Sequence, residues 1–308
     1  MSYHLFRLRF PAGLSLGDGR LSDSSISLRA DTVFSALCFE YMSLENTPDG
    51  LVDLVKKGGL KISDAYPFVD DVLYLPKPLV RVNSGEKEEG AKKAFKKLMY
   101  VPSDKMDDYV QGKFTKDDAL RIGAEFRVGQ GGVTTKASIS RKGEETTPYH
   151  VGVFMFEKNA GLYFLAQTAN DECFKLLKEL LDRLSSTGIG GKKSSGYGRF
   201  DVSREPLPPH IRMDGEAKRY VSLSVGLPKD EEMGIAIEGA SYALLKRSGF
   251  VASASYADNT YERKKDLFVF SSGSVFVNKF EGDVYDVSNG GSHPVYSYAK
   301  PLFAGICT

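Results

Sequence analysis

The chain has 308 residues, enough for two domains or one large one and for a core that needs neither a metal nor disulfides. Lys and Arg number 41 against 40 Asp and Glu, so a net charge of +1 excludes a globally basic nucleic-acid binder; any basic surface has to be local. Three scattered cysteines (Cys38, Cys173, Cys307), no apolar run of about 18 residues and no long apolar stretch after Met1 predict a cytoplasmic chain without disulfides, membrane span or secretory leader.

Tyr3 to Phe10 alternates apolar and polar and predicts a first strand. Pro11 to Ser27 is a Gly/Ser/Asp-rich loop. Asp31 is positioned to cap a helix through Met42, with Phe34, Leu37, Cys38 and Tyr41 inward. A second helix is expected over Asp49 to Lys57. Leu60 to Pro67 predicts a strand ending in a turn. Leu73 to Val82, with Pro76 and Pro78 inside, predicts an extended edge. Glu86 to Asp118 is dense in charge of both signs and reads as a partly helical, solvated insertion. Gly129 to Tyr149 is polar with almost no apolar anchor, and a segment of that kind inside a compact domain is functional or mobile.

Val151 to Phe156 and Leu162 to Gln167 predict strands around a turn at Asn159-Ala-Gly161. Phe174, Leu177, Leu181 and Leu184 recur at helical spacing within Asp171 to Leu184, and Gly188 falls where a left-handed C-terminal cap belongs. Glu205 to His210, with Pro206, Pro208 and Pro209, is a stiff linker candidate. Beyond it, Arg219 to Leu227 starts a new strand pattern. Gly234 to Lys246 fits helix or strand. Phe268 to Phe280 reads as a hairpin around Ser272-Gly-Ser274, and Tyr296 to Ile306 as a closing strand. Strand, helix, strands, helix, loop, strand predicts an α+β, ferredoxin-like first domain over 1–205 with an insertion around 86–149. Residues 206–308 are expected to form a second, reduced copy.

Between the long helix and the strand beginning at Arg199 lies Thr187-Gly-Ile-Gly-Gly-Lys-Lys-Ser-Ser-Gly-Tyr-Gly-Arg199, running into Phe200 (loop 187–200). Five of these residues are glycine, three are basic (Lys192, Lys193, Arg199) and none is acidic. Glycine lets the backbone reach positive φ and turn N–H groups toward an anion. The basic side chains would neutralise phosphates, and Ser194 and Ser195 would donate hydrogen bonds. Tyr197 and Phe200 could stack on bases or pack into the core. The order helix, loop, strand excludes a P-loop and a dinucleotide fingerprint, which both need strand, loop, helix.

Catalytic signatures are missing. His4, His150, His210 and His293 show no metal-ligand spacing, so no metal and no cofactor are expected. His4 could be a general base, but a structural histidine is the simpler reading. Asp70-Asp71 and Asp107-Asp108 are adjacent carboxylates, which point apart and read as solvated.

The glycine-rich stretch Gly188 to Phe200 resembles the signature loop of the RAMP superfamily of CRISPR proteins. Leu28 to Leu37, Ala65-Tyr-Pro-Phe68, Tyr74-Leu-Pro-Lys-Pro78, Lys246 to Val251, Ser272 to Phe276 and His293-Pro-Val-Tyr296 narrow the resemblance to the fourth-subunit family of the Csm complex, the type III-A interference assembly. That resemblance implies two ferredoxin-like (RRM-like) domains. It implies a non-catalytic RNA-binding subunit that caps the repeat-derived 5′ handle of the crRNA. The implied protein partners are the large polymerase-like subunit and the backbone RAMP subunit. Carried over by position, Gly188, Gly190, Gly191, Lys192, Lys193, Ser194, Gly196 and Gly198 would hold the handle beside Arg199. Lys136, Arg141 and Lys142 would join them from a segment folding over the RNA. The rival reading is a RAMP-type endoribonuclease, which requires His4 or His150 to approach the loop.

Overall fold

The structure is a computed structural model, and it describes residues 1–17, 25–80, 91–138, 147–253, 256 and 262–307. Strand β1 (Ser2–Arg9) is followed by helices α1 (Ala30–Glu45) and α2 (Asp49–Lys56) and strands β2 (Leu60–Ile62), β3 (Tyr66–Val69) and β4 (Val72–Pro76). Next come α3 (Ala91–Lys97), β5 (Tyr100–Pro102), α4 (Met106–Val110) and α5 (Lys116–Glu125). Strands β6 (Gly129–Ser138), β7 (Thr147–Phe156) and β8 (Ala160–Thr168), helix α6 (Asp171–Thr187) and β9 (Asp201–Glu205) complete the first half. The second half holds β10 (Arg219–Ser222), α7 (Asp230–Ile237), β11 (Leu244–Arg247), β12 (Leu267–Phe270), β13 (Val275–Phe276), β14 (Asp283–Asp286), β15 (Tyr296–Ala299) and β16 (Phe303–Ile306).

The main sheet runs β5-β4-β3-β8-β1-β9, with β2 also on β8, and its paired strands are antiparallel. Both central strands are buried on both faces. Phe6, Leu8, Leu162, Phe164 and Ala166 meet α1 and α6 in one cluster. Leu5, Tyr163 and Leu165, on the alternate positions, meet Val221, Val275, Ala304 and Ile306 of the smaller sheet β13-β10-β16. Covering both faces explains why β1 and β8 read as nearly continuous apolar runs.

Several sequence expectations are corrected. Helix α1 begins at Ala30, and its first N–H is capped by Asp64 Oδ1 at 2.9 Å. Asp31 lies inside the first turn and pairs instead with Arg247. Pro67 lies within β3, not in a turn. Strand β4 is not an edge, because β5 pairs with it at Pro76↔Tyr100. The 86–118 insertion is more than a solvated decoration. Residues 86–90 lie outside the described residues; of the rest, Leu98, Val101, Tyr109 and Phe114 form a satellite core with Tyr74 and Ile122. Asp107 is not simply solvated; Arg212 holds it through two bonds of 2.9 and 2.6 Å. Strands β7 and β8 do not pair with each other; β7 pairs along its length with β6. The turn at Ser272–Ser274 separates β12, paired to β11, from β13, paired to β10, so no hairpin forms there. The closing strand is split at Lys300–Leu302.

Candidate nucleic-acid interface

Helix α6 starts at an Asn170 cap, whose side chain accepts from the Cys173 N–H at 2.9 Å. The helix buries Leu177, Leu180, Leu181 and Leu184, so its C-terminus delivers the glycine-rich loop at a fixed place. Gly188 has φ 82° and ψ 161°, a positive-φ but extended conformation rather than the left-handed cap expected.

The loop divides into a base and a tip. At the base, Ile189 and Phe200 are buried, and Phe200 packs 5.5 Å from the Phe10 ring. Phe200 therefore belongs to the core, which settles that alternative. The Ile189 N–H donates to the Gly198 carbonyl at 2.9 Å. The base also clamps Gly13 to Ser15, inside the Gly/Ser/Asp-rich loop that follows β1. The Gly198 N–H donates to the Gly13 carbonyl at 2.9 Å, and the Gly191 N–H to the Ser15 carbonyl at 2.8 Å. A Cβ on Gly190 would stand 2.7 Å from that Ser15 carbonyl oxygen. Gly190, Gly191 and Gly198 thus serve the chain's own close packing first. The signal for the partner segment was its own Gly13, where a Cβ would stand 2.7 Å from the Phe154 carbonyl oxygen of β7.

The tip carries the side chains. Lys192 is left-handed at φ 56°, and a 3₁₀ turn covers Lys193–Ser195. Lys193, Ser194 and Arg199 are exposed; Lys192, Gly196 and Tyr197 are half-buried.

The polar segment from Gly129 proves to be a long ribbon. Strands β6 and β7 pair from Gly129↔Phe156 to Ser138↔Thr147. Two reciprocal contacts fasten the tip to this ribbon. Lys192 Nζ lies 4.6 Å over the Tyr149 ring, and Lys136 Nζ lies 4.9 Å over the Tyr197 ring. Lys136 and Tyr149 are themselves cross-strand partners. Each contact of this kind is worth about 0.5–1 kcal/mol at an exposed site. The result is a surface of ammonium groups interleaved with tyrosine rings, the composition that holds a single-stranded polyanion by charge and stacking. Tyr149 was legible only as the end of the polar segment. Arg141 and Lys142 lie outside the described residues.

The histidines divide. His4 is buried, its Nε2 2.9 Å from Thr168 Oγ1 and its ring 4.4 Å from Phe174. Burial lowers its pKa, helped by the Arg204 charge and partly opposed by Asp171. His150 is exposed on β7, 3.1 Å from Thr135 Oγ1 and next in sequence to Tyr149. Among the described residues no cluster of three metal-ligating side chains occurs, and no helix is long and apolar enough to cross a membrane.

A glycine-rich loop after a helix, set beside an antiparallel α/β sheet, defines a RAMP protein, and the RAMP superfamily model matches residues 16–201. The model of the CRISPR Csm4 C-terminal domain matches residues 215–306. The Csm4 protein of Mycobacterium tuberculosis (strain CDC 1551 / Oshkosh) is 38% identical over 306 residues, covering 99% of this chain and 98% of the relative. That of Streptococcus thermophilus is 30% identical, covering 98% of each. The chain belongs to the Csm4 family. In structure it resembles a chain of the Csm3–Csm4 subcomplex of the type III-A CRISPR-Cas interference complex, with TM-score 0.66, 16% identity and 98% of each chain covered. It also resembles a chain of the Csm1–Csm4 cassette bound to pppApA, with TM-score 0.63, 21% identity and coverage of 99% of this chain and 98% of that one.

Proposed function

We propose that this chain is a non-catalytic, cytoplasmic subunit of a type III-A Csm effector complex. It caps the 5′ handle of the crRNA and bridges the large polymerase-like subunit to the backbone RAMP subunits. The observation that carries this reading is the lysine–tyrosine surface shared by the loop tip and the β6–β7 ribbon. Lys192, Lys193, Arg199 and Lys136 neutralise phosphates, and Ser194 donates to them. Tyr149 and Tyr197 offer faces to splayed bases. Gly188, Gly190, Gly191, Gly196 and Gly198 shape the loop that presents those groups, and Arg141 and Lys142 extend the same basic segment. The partners named for the relatives support the bridging role.

In this reading residues 1–205 and 206–308 are two ferredoxin-like domains. The first half supports it with the order β9-β1-β8-β3, in which α1 and α6 make the crossovers. The second half repeats the core of that order as β16-β10-β13.

Burial of His4 weighs against the endoribonuclease reading, since a base must reach the proton it takes. His150 stands near the loop, so it is the residue on which to test that reading. His150→Ala leaves precursor RNA processed as before; accumulation of uncut precursor would favour the nuclease.

The test of the proposal is Lys192→Ala with Lys193→Ala. Copurifying RNA from the native complex is expected to share one repeat-derived 5′ end. For the purified chain, the double variant binds that RNA more weakly. The slope of log K against log salt flattens by about 1.4, ~0.7 for each lost contact to a single strand. Unchanged affinity and slope remove the loop from the RNA site.

A further inference from the structure

Strand β11 hydrogen bonds on one side only. The pair Ala243–Ser271 is bonded, the Ser271 N–H donating to the Ala243 carbonyl at 2.9 Å. The Phe270 N–H and carbonyl exchange bonds of 2.7 and 3.1 Å with Gly226, on the side of β12 away from β11. Leu244, opposite Phe270, therefore belongs to a non-hydrogen-bonded pair, and so does Lys246, opposite Phe268. Just before the strand, Ser241 exchanges two bonds of 2.8 Å with Val275. The odd positions from Ser241 to Arg247 thus face β13 and β12. The N–H and C=O groups of Tyr242, Leu244 and Lys246 face the opposite way. Among the described residues none of these groups meets a hydrogen-bond partner, and all three residues are exposed.

The side chains repeat this asymmetry. On an antiparallel ribbon, residues two apart and their cross-strand partners share a face. Tyr242, Leu244, Lys246 and Phe268 share one with Phe270, whose ring lies 4.6 Å from that of Tyr242. Tyr242, Leu244 and Phe268 are 45%, 61% and 55% exposed. The other face, with Leu245 and Val269, packs into the core. Lys246 is held by Asp266 at 2.7 Å, so the ammonium on the exposed face is already neutralised and phosphate gains little there.

Soluble proteins blunt sheet edges with proline, bulges or charge. Ser241 to Arg247 contains no proline, and its register with β12 is unbroken from Leu244 to Arg247. An open ladder lined by apolar side chains is what strand addition uses: main-chain bonds supply affinity, and alternate side chains supply selectivity.

We propose that β11 accepts an extended segment of a neighbouring protein subunit as an added strand, with apolar side chains at alternate positions on the face of Tyr242 and Leu244. The proposal rests on the reading of the chain as a subunit of an effector complex; it does not need handle capping.

The test uses the full chain and two probes, the purified large polymerase-like subunit and the purified backbone subunit, titrated separately. Leu244→Pro is the informative variant. Proline removes the N–H that points at the open edge and leaves the bonds between β11 and β12 in place, a position where edge strands tolerate it. At least one subunit binds the parent, and Leu244→Pro weakens that binding about tenfold, the size of one backbone hydrogen bond. Lys246→Pro acts in the same direction. The urea midpoint and RNA affinity of Leu244→Pro stay near those of the parent. In the parent, partner binding slows hydrogen exchange at the amides of Tyr242, Leu244 and Lys246, and leaves Leu245, already paired with Val269, unchanged. If the proline variants fail to fold, this alternation decides alone. Equal binding by parent and Leu244→Pro overturns the proposal and leaves the subunit reading intact, as does binding without the alternating protection. A parent that binds neither subunit overturns both. Self-association abolished by Leu244→Pro, with subunit binding unaltered, assigns the edge to a second copy and overturns the proposal. Loss of RNA affinity alone assigns it to RNA, with the same result.

Discussion

At the scale of single residues, Gly198 and Gly196 look alike in sequence and differ in physics. Both have positive φ, 79° and 88°. A Cβ on Gly196 meets nothing within 4 Å, whereas on Gly198 it would stand 2.0 Å from the Ile189 carbonyl oxygen. Gly196→Ala therefore carries only the left-handed backbone cost, about 1–2 kcal/mol. Gly198→Ala adds a clash with backbone that cannot step aside, and the total exceeds about 3 kcal/mol. Urea unfolding of the two variants checks this, and equal losses would mean that the loop base is not packed as described. His4 makes a second contrast. Burial lowers its folded pKa below the ordinary histidine value of 6.5, so the folded state resists protonation. Above 6.5 both states are neutral and pH has no effect through this residue. As pH falls below 6.5 the unfolded chain takes a proton that the folded chain refuses, and stability is lost. His4→Gln is expected to lose less stability than the parent between pH 7.5 and 5.5. Identical losses in urea midpoint would show His4 titrating as a free histidine.

At the scale of elements, legibility follows how local each cause is. Helix α6 is legible because its apolar spacing and the glycine after it lie within one stretch of chain, whereas its Asn170 cap is seen only in the structure. Helix α1 was found, but its cap was not, because Asp64 is brought to Ala30 only by tertiary folding. The β6–β7 ribbon was invisible as a ribbon. Gly131, Gly132, Thr134 and Thr135 give no apolar alternation, and the pairing of Lys136 with Tyr149 crosses 13 positions of chain. Strand β7 was read correctly and paired wrongly for the same reason. Its nearest apolar neighbour in sequence, β8, is claimed by β1 and β3. The candidate site shows the same division. The lysines and glycines of the loop were legible, but Tyr149 and the clamp on Gly13 to Ser15 depend on long-range contacts.

At the scale of the molecule, the halves share a core rather than touching at a rim. The cluster around α1 contains Val225, Val269, Val284 and Tyr298 from the second half. Tyr298 OH accepts from the Ile62 N–H at 2.9 Å, and Tyr66 OH donates to the Leu223 carbonyl at 2.6 Å. Asp64 is the joint. It is 1% exposed, and its carboxylate takes the Ala30 and Val225 N–H groups and the Arg29 guanidinium. Arg29 in turn donates to Ser272 at 2.8 Å, so one buried carboxylate ties the start of α1 to two segments of the second half. A shared core of this kind makes separate melting costly for either half, because each would expose the apolar face that the other covers. The full chain should therefore unfold in urea as one transition, followed in parallel by circular dichroism and tyrosine fluorescence. Asp64→Ala leaves buried donors without an acceptor and a guanidinium without its partner, and is expected to lower stability by about 3–5 kcal/mol. The decisive feature is how the loss is distributed. A coupled molecule shifts both probes together, since the carboxylate serves both halves at once. Two resolved transitions in the parent, or a shift confined to one probe in the variant, would mean that the halves are held together by contact alone and fold as independent units.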